Sequence, residues 1–347
     1  MRIVVVGATG NVGTSVLEAL GRDDSVSSIL GLARRLPHSA ARYAKTEFAA
    51  ANVVSADLVP YFAGADCVIH LAWAIQPSRD QDLLWTINVE GSSNVFAAAA
   101  KAGVGSLVVA SSIGAYSPGA KRRVDESWPT GGIASSWYSR HKAQQERRLD
   151  AFEAEHRGIR VVRLRPGLIM KRDSAEEVRR LFFGPFLPSP LAKPGRLRVL
   201  PHVPGAVVQL VHSLDVGEAY RLAATRDVRG AFNIAAEPEL DGQRLAQALG
   251  ARAVTIPAKL ARAAVGVAWL LRLQPTSPDW LDLALGAPLL DCTRARDVLG
   301  WEPTRDGIET VRELLHGLAD RAGGDTPPLR AGDRRAELGA GVGGKPV

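Results

Sequence analysis

The chain has 347 residues, 46% of them hydrophobic and 23% charged, with 43 Lys and Arg against 36 Asp and Glu for a formal net charge of +7. That balance fits an ordinary globular enzyme with a sizeable core, and its bases are interleaved with acids (Lys121-Arg122-Arg123 runs into Asp125 and Glu126), so a nucleic-acid partner is not expected. With an apolar strand read from residue 2, no signal peptide is expected ahead of it. Cys67 and Cys292 lack metal-ligand spacing, and the apolar stretch Leu260 to Leu273 is broken by Arg262 and Arg272, short of the ~20 apolar residues of a membrane span. A cytoplasmic protein with reduced thiols, no metal and no membrane partner is the expectation.

The opening sets the pattern. Ile3 to Val6 is an unbroken apolar run, the mark of a parallel strand buried on both faces. Gly7, Gly10 and Gly13 follow at three-residue spacing, and a helical pattern starts near Val12. A strand, a glycine turn and a helix N-terminus form a cradle for a pyrophosphate, through the close backbone approach that glycine permits and the positive end of the helix. The spacing is GxxGxxG rather than GxGxxG, a partial match to the dinucleotide fingerprint. Gly7, Thr9, Gly10, Asn11, Val12 and Gly13 are the candidate cofactor residues. The second strand, Ser28 to Ala33, ends at Arg34-Arg35 where an acid would otherwise bind ribose hydroxyls. Two cations there suit a 2′-phosphate, which favours NADP over NAD.

A third strand lies between Lys45 and Val54, followed by Asp57. Strand four covers Asp66 to Leu71, a long helix Asp80 to Ala102, strand five Ser106 to Ser111, a second long helix Ser136 to His156, and strand six Ile159 to Leu164, stopped by Arg165-Pro166-Gly167. This alternation specifies an α/β, doubly wound parallel sheet, with ligands outside the carboxyl ends of the strands. The prolines at 185, 188, 190, 194, 201 and 204 exclude a long helix over 184–205. The expected organisation is a dinucleotide-binding domain over 1–167, rejoined by 206–235. A smaller substrate lobe takes 168–205 and 236–322. The Gly-, Pro- and Arg-rich stretch 323–347 reads as a disordered tail.

Tyr138 and Lys142 are four apart and share a helix face, an arrangement in which an ammonium can lower the pKa of a phenol. The serines at 111 and 112, ending strand five, bring a hydroxyl that can hold a reacting oxygen. With these motifs in place the sequence resembles the extended short-chain dehydrogenase/reductases, or NAD-dependent epimerase/dehydratase family. The likeness runs from residue 1 to about 321, through Gly7-Ala-Thr-Gly10-Asn-Val-Gly13, Asp57, His70-Leu-Ala-Trp73, Asn88-Val-Glu-Gly91, Ser111-Ser-Ile-Gly-Ala-Tyr116, Tyr138-x-x-x-Lys142, Arg165-Pro-Gly167, Val211-His212, Phe232-Asn-Ile234 and Leu299-Gly-Trp301.

The resemblance implies a Rossmann fold and assigns Ser112, Tyr138 and Lys142 as the catalytic triad, with Lys142 also on the nicotinamide ribose. It puts Asp57 at the adenine and Leu71, Ala72, Trp73, Asn88, Ser111 and Pro166 along the cofactor. Sugar-nucleotide members carry an arginine four positions before the histidine corresponding to His212; this chain has Val208. Where many relatives have asparagine it has His70.

The leading expectation is therefore an NAD(P)-dependent oxidoreductase acting on a carbonyl/secondary alcohol pair of a small metabolite. A sugar-nucleotide epimerase/dehydratase and a non-catalytic NADP-sensing regulator are the alternatives. Trp73, Trp137 and Trp280 are candidates for a substrate wall. The apolar faces of 80–102 and 136–156 read either as a homodimer interface or as the ordinary core face of two covering helices.

Overall fold

The computed structural model describes residues 1–332 except 77, 187–191 and 194. Its centre is one parallel sheet of β1 (Arg2–Val6), β2 (Ser28–Ala33), β3 (Thr46–Ala50), β4 (Cys67–His70), β5 (Ser106–Ala110), β6 (Arg160–Pro166) and β7 (Gly230–Ile234). The strand order is β7-β6-β5-β4-β1-β2-β3, so the chain reverses its winding direction at β1, and the crevice between β1 and β4 is the topological switch point. The Rossmann fold stands as expected, and Gly230–Ile234 forms one edge of its sheet.

Side chains alternate across the strands, which explains why β1 is apolar from Ile3 to Val6. Ile3 and Val5 join Val16, Leu17 and Leu20 of α1 (Asn11–Gly21) on one face. Val4 and Val6 join Val95, Phe96, Leu149 and Phe152 on the other. The second layer comprises α2, the helical run 81–102, and α3 (Trp137–Glu155). α2 is continuous but widens into π turns over Thr86–Glu90, the stretch that carries Asn88. The apolar faces of α2 and α3 are spent on the sheet, and the residues they leave exposed are mostly polar, among them Glu90, Asn94, Lys101, Arg140, Arg147 and Asp150. On the first face, α1 crosses α4 (Ser213–Thr225) so closely that a Cβ on Gly217 would lie 2.5 Å from the Ser15 carbonyl oxygen.

Two sequence expectations need correction. Strand β6 does not stop before Arg165 but runs through Pro166, paired with β7 from Gly230↔Val162 to Ile234↔Pro166. Arg163 and Arg165 tolerate the sheet interior because they are neutralised there, as described below. The stretch after α5 (Gly307–Asp320) is not a free tail as far as Gly332: Thr326 and Leu329 are buried at 0% and 2% exposure. The remainder of the expected tail, 333–347, and Pro188, Pro190 and Pro194 lie outside the described residues.

Beyond the sheet, short parallel pairs link Leu168–Met170 to Leu210–His212, and Val199–His202 to Arg252–Thr255. The segment 184–205 holds no long helix among its described residues. Neither does any helix among the described residues have the length and apolarity to cross a membrane.

Candidate active site

The glycine loop leaves β1 at the switch point. Gly7 adopts a φ of +90° and accommodates no side chain: a Cβ there would lie 2.7 Å from the Ala72 backbone nitrogen. The glycine turn and the segment after β4 are thus in backbone contact, bringing the two cofactor motifs together. Gly7 and Ala8 donate to the Leu32 carbonyl at 2.8 and 3.2 Å, which sets the end of β2, with Arg34 and Arg35, beside the loop. Both arginines are exposed. Asp57 is also exposed, and its carboxylate accepts from the Val59 amide at 3.1 Å.

The three glycines are not equivalent. A Cβ on Gly13 would meet the Gly7 oxygen at 2.4 Å and the Ala8 carbonyl at 2.6 Å, whereas one on Gly10 meets only the Gly7 oxygen at 3.7 Å. Gly13→Ala is expected to lower the thermal midpoint and weaken dinucleotide binding in a titration, while Gly10→Ala remains close to wild type in stability. Equal losses of stability in the two variants would contradict this ordering.

At the carboxyl end of β5, Ser112 caps a short turn by accepting from the Gly114 amide at 3.0 Å and hydrogen-bonds the Tyr138 phenol. Ser136 caps α3, accepting from the Ser139 amide at 3.4 Å, so Tyr138 sits in the first turn. The Tyr138 ring lies against Gly114, where a Cβ would stand 2.8 Å from its Cε1. Its ring centroid is 5.0 Å from that of Trp280, 5.9 Å from Trp73 and 6.0 Å from Trp137. The three tryptophans named from sequence do come together around the phenol, and Phe182 joins them through Trp280 at 5.0 Å.

Lys142 sits one turn on, but its ammonium is engaged elsewhere. Nζ donates to the Ala110 carbonyl at 2.6 Å and to Gln145 Oε1 at 3.2 Å, and lies 3.4 Å from the centroid of the Trp73 ring. The expectation that this ammonium lowers the Tyr138 pKa is therefore corrected for the protein as it stands. Burial pushes the phenol up to about 12, and the hydrogen bond from Ser112 is the opposing influence. Burial also holds Lys142 well below its usual value, with Glu146 acting the other way.

Behind Lys142 runs a network that the sequence did not disclose. Gln145 Nε2 donates to Ser92 Oγ at 3.1 Å, Ser92 donates to the Asn88 carbonyl at 2.6 Å, and His70 Nε2 lies 2.9 Å from the same Ser92 oxygen. Burial, then the Lys142 charge, push His70 down to about 3, so it is neutral. Asn88 is wholly buried and both ends of its amide are taken by Ala74, at 2.7 Å to the amide nitrogen and 2.8 Å to the carbonyl. It thereby ties α2 to the backbone of the segment that follows β4.

Ser111 is likewise diverted from the expected cofactor role, donating at 2.5 Å to Glu146 Oε1. Glu146 binds Arg165 through both oxygens, at 2.9 and 3.0 Å, and Arg163 at 3.0 Å. Arg165 reaches on to the Tyr116 hydroxyl at 3.1 Å, which donates to Asn233 at 2.7 Å. The only signal for this cluster was two arginines at alternate positions of an apolar strand. Pro166 closes β6, paired with Ile234 of β7. Lys171 was also missed: its Nζ donates to the Asn11 carbonyl at 3.0 Å, Thr14 Oγ1 at 2.7 Å and Ser15 Oγ at 3.0 Å, anchoring the first turn of α1. His212 is structural, accepting from the Leu214 amide at 3.2 Å and meeting Glu313 at 3.2 Å.

A switch-point glycine loop beside a serine, a tyrosine and a lysine defines an extended short-chain dehydrogenase/reductase. The model of the NAD dependent epimerase/dehydratase family matches residues 3–235, and the chain belongs to that family of NAD-dependent enzymes. An uncharacterised protein of Mycobacterium tuberculosis is 30% identical over 329 residues, 93% of this chain, although the chain spans only 31% of that protein's length. A UDP-glucose 4-epimerase of Mycolicibacterium smegmatis is 29% identical over 87% of this chain and 94% of its own. Among solved structures, a UDP-glucose-4-epimerase from Stenotrophomonas maltophila, with bound NAD and formylated UDP-arabinopyranose, superposes with a TM-score of 0.70 at 18% identity, covering 92% of this chain and 98% of that one.

Proposed function

We propose that the chain is a nicotinamide-dependent oxidoreductase acting on a carbonyl/secondary alcohol pair of a small, largely apolar metabolite. The observation that carries this reading is the placement of the Tyr138 phenol, hydrogen-bonded by Ser112 and walled by Trp73, Trp137 and Trp280. A dinucleotide, when bound along the glycine loop, supplies or accepts the hydride. In the reducing direction Tyr138 hands its proton to the carbonyl oxygen, and a phenol held near 12 is fully protonated for that task. Ser112 holds the same oxygen as negative charge develops on it. The aromatic wall excludes water and favours an apolar substituent on the carbon.

NADP fits the end of β2, where Ala33 stands in place of a ribose-binding acid and Arg34 and Arg35 follow. NAD, which several solved relatives carry, is the alternative.

The second reading, a sugar-nucleotide epimerase/dehydratase, is favoured by the near full-length likeness to the M. smegmatis enzyme. Against it stands Val208. Its backbone pairs with Leu240 in both directions, at 2.7 and 2.9 Å, and its side chain packs on Leu210, Leu240 and Val311, so position 208 itself supplies no cation for a diphosphate, with Arg196 and Arg198 the substitutes that the sequence offers. An NADP sensor without chemistry has less support, since tyrosine and lysine are both retained. Mixing the protein with reduced cofactor and a panel of ketones decides between these. Net loss of reduced nicotinamide from bulk solution is expected; conversion of UDP-glucose to its epimer with no net cofactor change would overturn the oxidoreductase reading.

A further inference from the structure

The segment after α5 folds back as a closed loop onto the glycine turn. Gly324 donates to the Leu329 carbonyl at 2.9 Å, and Leu329 and Arg330 donate to the Thr326 carbonyl at 2.9 and 3.1 Å. The loop is anchored at three places. Leu329 is buried at 2% exposure. Arg180 donates to the Arg330 carbonyl at 2.6 Å and also holds the Pro328 carbonyl. Thr326, fully buried, donates its hydroxyl to the Thr9 carbonyl at 2.6 Å.

The last contact matters because Thr9 lies between Gly7 and Gly10. Its carbonyl belongs to the peptide whose amide, Gly10 N–H, closes the turn on the Gly7 oxygen at 3.3 Å. On the other side of Gly10, the Asn11 carbonyl is held by Lys171 and by Ser213 at 3.0 and 3.1 Å. Two carbonyls of the loop are thus fixed from outside, leaving amides at the start of α1 to face a phosphate. Next along the loop, Asp325 pairs with Arg42 at 3.2 Å, and Arg42 meets Glu18 of α1 at 3.3 Å. The loop therefore meets the entry to α1 at Thr9 and, through Arg42 on the connection into β3, reaches Glu18 in the last turn of that helix.

We infer that residues 323–332 are part of the dinucleotide site, a clamp that fixes the glycine loop and slows release of the adenosine diphosphate half of the cofactor. The inference rests on the dinucleotide reading given above. Composition hides it: three glycines, two prolines and one leucine carry no periodicity, and the contacts are made mainly by backbone carbonyls and one hydroxyl.

The test is the dissociation rate of NADH and NADPH, followed by fluorescence after displacement with excess oxidised cofactor. It compares the full chain, Thr326→Val and a chain ended after Ala322, with thermal melts to verify folding. Loss of one hydrogen bond in Thr326→Val is expected to speed release about two- to tenfold, and loss of the whole clamp by more than about tenfold. If the shortened chain does not fold, Thr326→Val carries the test, because valine retains the shape of threonine. Release rates equal to wild type in folded variants that still bind would overturn the clamp. A full chain that binds neither NADH nor NADPH would instead overturn the dinucleotide reading itself, and the clamp with it.

Discussion

Tyr138→Phe is expected to lower turnover by about a hundredfold to ten-thousandfold while dinucleotide affinity changes by less than about threefold. On the proposed reading the phenol, to which Ser112 is hydrogen-bonded, gives its proton to a substrate oxygen. Phenylalanine retains the ring that packs against Trp280 and Gly114, so the cleft retains its shape. Steady-state kinetics on a ketone that the wild-type chain reduces, paired with a cofactor titration, separates the two effects. Near-wild-type turnover would remove Tyr138 from the chemistry. A parallel loss of cofactor binding would mean that the ring serves the site's architecture instead.

Glu146→Leu should be the most damaging change away from the reacting atoms. Glu146 is 1% exposed and neutralises Arg165 and Arg163, both 6% exposed at the side chain. Arg163 retains Asp150 and Glu153, but Arg165 would be left with only the Tyr116 hydroxyl and the Glu126 carbonyl. An uncompensated buried charge of this kind costs about 3–5 kcal/mol, measurable as a drop in the urea midpoint. The same carboxylate makes a prediction about acid. Burial alone would raise its pKa, but Arg165 and Arg163 outweigh that and hold it at about 2, against 4.5 for an unperturbed group. A depressed folded-state value means that the stabilisation is complete above about 4.5 and is lost as pH falls from there toward about 2. Glu146→Gln should remove this group's share of the acid slope; an unchanged slope would show that the cluster titrates elsewhere.

Much of this could be read in the residues, and what could not has physical reasons. Strands buried on both faces announce themselves as apolar runs, so β1, β4 and β5 were visible at once. The glycine turn and the Tyr138–Lys142 pair follow from spacing, and the three tryptophans, named without any spacing between them, are brought together by the fold. Arg165 misled because a charged residue normally ends a buried strand; here a glutamate from α3, distant in sequence, neutralises it. The motifs of Ser111 and Asn88 were evident but not their partners, because Glu146 and the Ala74 backbone, which take up their polar atoms, are distant in sequence. Lys142 misled by direction, since helical spacing gives the face and not the rotamer. The 323–332 loop was illegible because its contacts are mostly backbone.

The most direct test of the central claim, a nicotinamide site built on the glycine loop, is a calorimetric titration of the full chain with NADPH and with NADH after assaying for retained cofactor. Saturable one-to-one binding, tighter for NADPH, is the expected result. Retained NAD or a preference for NADH would contradict the assignment at Arg34 and Arg35 and bring the epimerase/dehydratase reading forward, and binding of neither would contradict the site itself.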